Sequence, residues 1–273
     1  MSFLSNKLSG FRDSLAFSNR WPLIFQRLLR PHDPIVTYGW RGRWWLVCDA
    51  RVQDNSAPKE VLANGCYDEW IRRSIRDGSL AYVNVGANIG AFDLAVASAA
   101  AIPFALGIEL NPDTFTRLNF NLAINDLRQV VTLNVGLAGR AGTFRFSSSN
   151  CSLADSLFAA PGAAADPAAR AIPLLTLEAA LESAGFADRE FDLLKLDCEA
   201  AEYGIVSTAP IEVLRRFRHV VIELHPVPEG ETLGALSSRF EAAGFRAETV
   251  LPGAIEQASL HFWKRLETSP ARA

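Results

Sequence analysis

The chain has 273 residues, with 27 Lys+Arg against 30 Asp+Glu and a net charge of −3. With 49% hydrophobic and 21% charged residues it is globular rather than disordered, and long enough for one large domain or a domain with an extension. The slightly acidic balance offers no footprint for nucleic acid, and the longest apolar stretch, 94–108, is broken by Pro103 and falls short of the roughly 18 residues of a membrane span.

Asn6, Lys7, Arg12 and Asp13 interrupt the apolar core that a secretory signal would need. Cys48, Cys66, Cys151 and Cys198 form no close pair of the zinc or redox type, so a reducing, cytoplasmic location is expected. Over residues 3–30, Phe3, Leu4, Leu8, Phe11 and Leu15, then Leu23, Ile24 and Leu28, recur at spacings of three and four. The spacing predicts two helices parted near Trp21-Pro22. They read as a cap on the core, with peripheral contact to a membrane surface or a partner as the alternative. Ile35–Arg51 reads as a β-hairpin with Gly39 and Gly42 near its bend. Trp40, Trp44 and Trp45 then read as cross-strand packing rather than a dock for a sugar or lipid head group. These elements form an extension over 1–65, ahead of a main domain over 66–273.

From residue 80, short apolar strands alternate with helices, the pattern of a doubly wound, Rossmann-like parallel sheet in the α/β class. Strands are expected at Ala81–Val85, Phe104–Leu110, Val130–Val135, Asp192–Asp197 and Val220–His225, with Phe245–Leu251 and Ser259–Arg265 closing the chain. Helices are expected at Gly90–Ala101, Pro112–Asn125, Thr176–Gly185, Tyr203–Thr208 and Glu231–Gly244, and Thr143–Ser147 as a small extra strand. The low-complexity stretch 159–171 reads as a flexible surface loop or a lid.

The strongest motif is Asn84-Val-Gly-Ala-Asn-Ile-Gly90, a buried strand running into a glycine turn and a helix. Glycines let the chain turn sharply, and the helix start presents N–H groups to a polar or anionic ligand. Asn88 stands where a dinucleotide fingerprint needs its second glycine, which disfavours a nicotinamide-dependent oxidoreductase, and the phosphate-loop ending is absent. Glu109, about 20 residues beyond the turn at a strand end, suits the hydroxyls of a ribose. Farther on, Lys195, Asp197 and Glu199 alternate onto one strand face, and Glu223 with His225 repeats the device on the next strand. Such charges are costly inside a parallel sheet unless they emerge at its carboxyl end, where ligands bind. They read as acid–base and hydroxyl-binding groups, with Lys195 pairing to Asp197 or Glu223 as the self-compensating alternative. Their spacing matches no compact metal motif, so no metal ligands are assigned, and a divalent ion stays the less favoured option.

N-V-G-A-N-I-G-A-F, I-E-L-N-P, L-N-F-N-L-A-I-N-D-L, K-L-D-C-E-A-A-E and V-I-E-L-H-P, in that order over about residues 66–226, resemble the FkbM-type S-adenosylmethionine-dependent methyltransferases. The resemblance implies the seven-stranded class I methyltransferase sheet and O-methylation of a sugar, a glycolipid or another small metabolite. It implies cofactor contacts at Asn84, Gly86, Asn88, Gly90, Glu109 and Asn111. The adenine end is expected near Asn125, Asp126, Gly136 and Leu137. The methyl acceptor is expected to meet His225 as base, with Asp197, Glu223, Lys195 and Glu199 as its other catalytic groups. Asp197 and Glu223 would orient the imidazole or the substrate, and Glu199 and Glu202 would hold neighbouring hydroxyls. Asn84 and Ala200 replace the family's usual Asp and Gly, which keeps a non-catalytic cofactor-binding or scaffold relative as the alternative.

Overall fold

The computed structural model describes residues 14–30, 32–52, 54, 56–146, 169–198, 201–225, 233–249 and 259–266. The expectations for residues 3–13, for the loop over 159–168, and for Cys151, Glu199 and Ala200 lie outside the described residues.

Among the described residues the first elements are α1 (Arg20–Leu29), which carries Pro22 in its first turn, and a hairpin of β1 (Ile35–Trp40) and β2 (Trp44–Asp49). The bend lies over 41–43, where Arg41 and Gly42 have φ of 50° and 71°; Gly39 is inside β1, opposite Trp45. Arg43 lies over the Trp44 ring and Arg41 over the Trp40 ring, so these two indoles serve packing. A π-helical turn, Pro58–Ala63, and α2 (Asp68–Ser74) follow, both absent from the expectations drawn from the sequence.

The main domain continues with β3 (Tyr82–Val85), α3 (Ala91–Ala99), β4 (Ala105–Ile108), α4 (Pro112–Ile124) and β5 (Val130–Leu133). Next come β6 (Gly136–Leu137), β7 (Gly142–Phe146), β8 (Arg170–Leu175), α5 (Leu177–Ser183) and β9 (Phe191–Leu196). The chain then forms α6 (Glu202–Thr208), α7 (Ile211–Leu214), β10 (Phe217–Leu224), α8 (Leu233–Ala242), β11 (Phe245–Thr249) and β12 (Ser259–Arg265).

Seven of the strands form one sheet in the order β11-β12-β10-β9-β3-β4-β5. β12 runs antiparallel to both neighbours, while β10, β9, β3, β4 and β5 pair in parallel. β12, the last strand among the described residues and second from one edge of the sheet, is its only reversed strand. The period-two alternation of a strand sorts its side chains onto two faces. Tyr82, Leu193 and Val221 pack with α2, α3, α4 and the hairpin, whereas Val83, Leu194 and Ile222 pack with α5, α6 and α8. The extension therefore shares a core with one face of the sheet.

Two asparagines fasten the hairpin to α4. Asn121 exchanges hydrogen bonds with the backbone N–H and carbonyl of Val47, and Asn125 does the same with Trp45. Four residues of helix advance about 6 Å and two residues of strand nearly 7 Å, so the two repeats match. Asn121 also donates to the Ile89 carbonyl beside the glycine turn. The adenine role expected of Asn125 is corrected here: both ends of its amide are used by β2.

A second sheet, β6-β8-β7, lies apart from the first. β7 matches the extra strand expected at Thr143–Ser147, but β8 was not expected, and it takes in Arg170 and Ala171, which the reading of 159–171 as a loop or lid had included. Pro173 pairs with Thr143 and precedes the point, Leu174, where pairing with the two-residue β6 begins.

Candidate active site

The sheet order reverses between β3 and β9: the chain leaves β3 towards β4 and β5, then returns to build β9 and β10 on the other side. Loops diverge at such a point and leave a crevice at the carboxyl ends of the strands. A cavity of about 340 Å³ lies there. Gly86, Asn88, Glu109, Asn111 and Gly136 line it from the β3–β5 side, and Lys195, Asp197, Glu223 and His225 from the β9–β10 side.

On the first side the glycine turn is held by its own neighbourhood. Gly86 and Ala87 donate to the Ile108 carbonyl, Asn88 to Glu109 Oε2, Ile89 to Asn88 Oδ1 and Gly90 to the Ala87 carbonyl. The N–H groups of residues 86–90 are thus occupied within the chain. Gly86, with φ of 71°, is required for packing: a Cβ there would stand 1.8 Å from the Asp197 carbonyl oxygen. Asn88, at φ of 50°, takes a left-handed conformation that its short amide tolerates.

Glu109 is anchored at both oxygens, accepting from the Asn88 N–H and the Asn111 N–H, each at 2.8 Å. Asn111 in turn caps α4, its Oδ1 accepting from Asp113 and Thr114.

Two residues expected at the cofactor do not reach the cavity wall. Asn84 is fully buried and donates from Nδ2 to Asp93 Oδ2 at 3.0 Å, while the Tyr82 hydroxyl donates to Asp93 Oδ1 at 2.7 Å. Burial pushes the Asp93 pKa up. Gly90 precedes α3 in a left-handed conformation and faces Leu118 instead.

The second side is assembled from distant segments. Lys195 is buried and donates to the carbonyls of Gly86 and Val85 and to Asp197 Oδ2 at 3.0 Å. The pairing raised as the self-compensating reading is therefore present. Tyr67, unanticipated from sequence, places its hydroxyl 2.9 Å from Glu223 Oε2 and 3.3 Å from Asp197 Oδ2, one proton between two carboxylates. Burial and the nearby Asp197 push the Glu223 pKa up, with Tyr67 and Lys195 opposing the rise. Burial likewise raises Tyr67 well above the ordinary phenol value.

His225 lies 3.2 Å through Nδ1 from Glu202 Oε1, and its Nε2 is 4.0 Å from Asp197 Oδ1. Glu202 is fully buried at the start of α6, and its Oε1 also accepts from the Cys198 N–H at 2.7 Å. Glu202, expected to hold a substrate hydroxyl, instead lies against the imidazole and is fully buried. Asp197, Glu223 and His225 come within 4.8 Å of one another, a set of metal-ligand types. Lys195 already places a cation against this cluster. Cys66 also lines the cavity, but burial and then Glu223 push its thiol up to about 12, which makes it a poor nucleophile.

Sequence reasoning missed Tyr67 and the buried partner of His225. Tyr67 sits in the connection between the π-helical turn and α2, with no motif around it. Glu202 was visible as an acidic residue in a first helical turn, but its partner lies 23 residues onward.

Residues 84–247 match the model of the methyltransferase FkbM domain. No curated protein matches the chain. Among solved structures, the chain is similar to magnesium protoporphyrin IX methyltransferase (ChlM) from Synechocystis PCC 6803 with bound SAM, at 10% identity and a TM-score of 0.39, over 76% of this chain and 83% of that one. It is similar to M. jannaschii TYW2 in complex with AdoMet at 12% identity and a TM-score of 0.40, over 86% of this chain and 88% of that one. Precorrin-6y C5,15-methyltransferase from Geobacter metallireducens GS-15 matches at 12% identity with a TM-score of 0.42, over 75% of this chain and 88% of that one.

Proposed function

The chain belongs to the FkbM methyltransferase family, and from that premise we propose that it transfers a methyl group from S-adenosylmethionine to a hydroxyl oxygen of a sugar, a glycolipid or another small metabolite. The observation that carries this reading is His225, held by a buried carboxylate on the wall of the same cavity that Glu109 enters from the opposite side.

The residues present fit the donor. The wall carries five carboxylates, Asp54, Glu60, Glu109, Asp197 and Glu223; Arg117 pairs with Asp54 and Lys195 with Asp197, so the acids still outnumber the cations. That balance favours a cationic ligand and opposes the pyrophosphate of a dinucleotide. The occupied N–H groups of the glycine turn point the same way. Glu109 would take the ribose hydroxyls, with Gly86, Asn88, Asn111 and Gly136 around the nucleoside. When bound, S-adenosylmethionine supplies a methyl group already activated on a sulfonium sulfur.

The protein's task is then to align an acceptor and remove its proton. A hydroxyl is a weak nucleophile at neutral pH, so a base within reach of its proton is useful. Glu202 beside Nδ1 orients the imidazole of His225, with Nε2 turned to the side of Asp197. His225 accepts the acceptor's proton at Nε2 as the oxygen becomes the nucleophile. Tyr67, Glu223 and Asp197 form a hydrogen-bonded acidic rim that receives neighbouring hydroxyls, and Lys195 fixes Asp197 against the Gly86 carbonyl.

The test is transfer of labelled methyl from S-adenosylmethionine to a panel of glycans, glycolipids and metabolite extracts, with the methylated atom located by fragmentation. Label on a hydroxyl oxygen is expected. Label on nitrogen or carbon overturns the oxygen assignment, and cofactor binding without any transfer turns the reading towards the non-catalytic alternative.

A further inference from the structure

The helix α1 wears its amphipathy the wrong way round for a solvated surface helix. Its polar residues are spent inward: Gln26 Nε2 donates to the Ile35 carbonyl and Arg27 to the Tyr38 hydroxyl. Leu23 and Ile24 are its only buried residues. Its outward face carries Trp21, Phe25, Leu28 and Leu29, which are 58%, 57%, 70% and 77% exposed. Positions i, i+4, i+7 and i+8 lie on one side of a helix, so these four form one stripe. Soluble monomers scatter exposed apolar residues singly, and a contiguous stripe marks an interaction surface.

The surroundings of the stripe are basic. Arg20 and Arg30 stand exposed at the two ends of α1, and residues 14–30 contain no Asp or Glu. The hairpin bend adds Arg41 and Arg43, both exposed. That bend is pinned beside the start of α1, because the Gly42 N–H donates to Ser18 Oγ and Asn19 is bonded to Thr37 and Gly39. Ile35 and Trp45, 45% and 43% exposed, extend the apolar character onto the hairpin.

We propose that α1 and the β1–β2 bend dock the enzyme onto an anionic lipid surface, with Trp21, Phe25, Leu28 and Leu29 entering the headgroup boundary and the four arginines meeting acidic head groups. Charge complementarity selects this occupant. A second copy seated symmetrically on the stripe would set arginine rim against arginine rim, with no acidic residue of α1 to answer it. A convex helix face with tryptophan, phenylalanine and leucine on one side and arginines at its edges is the chemistry of interfacial helices. No helix among the described residues is long and apolar enough to cross a membrane.

The experiment is sedimentation of the full chain with vesicles of phosphatidylcholine alone and of phosphatidylcholine mixed with phosphatidylglycerol, alongside its mass in solution without lipid. Wild type is expected to bind the mixed vesicles and to be released by added salt. Phe25→Glu/Leu28→Glu should lower the bound fraction about tenfold or more, and Arg20→Glu/Arg30→Glu should abolish the preference for the acidic lipid. Unchanged melting and cofactor affinity in both variants show that they remain folded. Absence of binding to mixed vesicles at low salt overturns the proposal. A wild-type dimer that Phe25→Glu/Leu28→Glu converts to monomer, without vesicle binding, overturns it in favour of self-association, and equal binding to both vesicle types refutes the electrostatic part.

Discussion

The two walls of the cavity are built on opposite plans. On the β3–β5 side, the bonds that the Glu109 carboxylate accepts from Asn88 and Asn111 span 21 and 2 residues, and the Asn134 amide reaches the Glu109 carbonyl across 25. On the β9–β10 side, Tyr67 meets Asp197 and Glu223 across 130 and 156 residues, and Lys195 reaches Gly86 across 109. The first wall is one strand–turn–helix repeat folded on itself. The second exists only after the extension, the centre of the sheet and its far strands have met. A local wall can serve a ligand common to a whole family, whereas a composite wall can be re-cut for different acceptors without disturbing it.

This contrast can be broken most directly at His225. His225→Ala is expected to lower turnover by about a hundredfold to ten-thousandfold while leaving cofactor affinity within about twofold. Steady-state kinetics beside calorimetry checks this, and a matching loss of both would erase the division of labour between the walls. Glu109→Ala should act in the reverse sense, weakening cofactor binding about tenfold to a hundredfold, the usual weight of hydrogen bonds to a charged group. Calorimetry with the demethylated product reads this directly, and an unaltered affinity removes Glu109 from the ribose.

Tyr67→Phe sharpens the comparison because it removes one proton from the composite wall and nothing from the local one. Glu223 and Asp197 then lose their shared donor, at a cost of about 1–3 kcal/mol. The acceptor's KM should rise with cofactor affinity unchanged, and a thermal melt should move down by a few degrees. A shift in cofactor affinity alone would assign Tyr67 to the wrong wall.

The smallest effect lies away from the cavity, at the other end of β10. His219 is buried with its ring 5.3 Å from that of Phe262, and burial, then Arg218, pushes its pKa down from 6.5 to about 4. The unfolded chain therefore binds a proton that the folded chain resists. Stability is lost as pH falls from about 6.5 towards about 4, and His219→Phe should lessen that loss in melting curves taken across the window. An identical pH slope in both proteins would discount the buried imidazole.

The parallel core strands were legible because most of their residues form short apolar runs between turns, and a sheet buried on both faces demands such runs. The glycine turn and Glu109 were legible for a related reason, since their spacing along the chain is their spacing in space. Asn125 misled: its place after α4 suggested a ligand, whereas its amide is committed to Trp45. Glu202 misled likewise, its carboxylate being taken by His225 and the Cys198 N–H. In both, the side chain is of a type that binds ligands, and only the arrival of a distant backbone or ring decided its partner.

What the amino-acid order determined by itself was the alternation of strands and helices, the turn after β3 and the acid at the end of β4, because hydrophobic period and short-range hydrogen bonding act within a few tens of residues. What the tertiary structure alone decided was the sharing of one proton between Glu223 and Asp197, the fixing of His225 by a buried carboxylate and the outward turn of the apolar stripe on α1. Those depend on which surfaces meet when the sheet closes, and burial sets the worth of a charge or a ring only once its neighbours are in place.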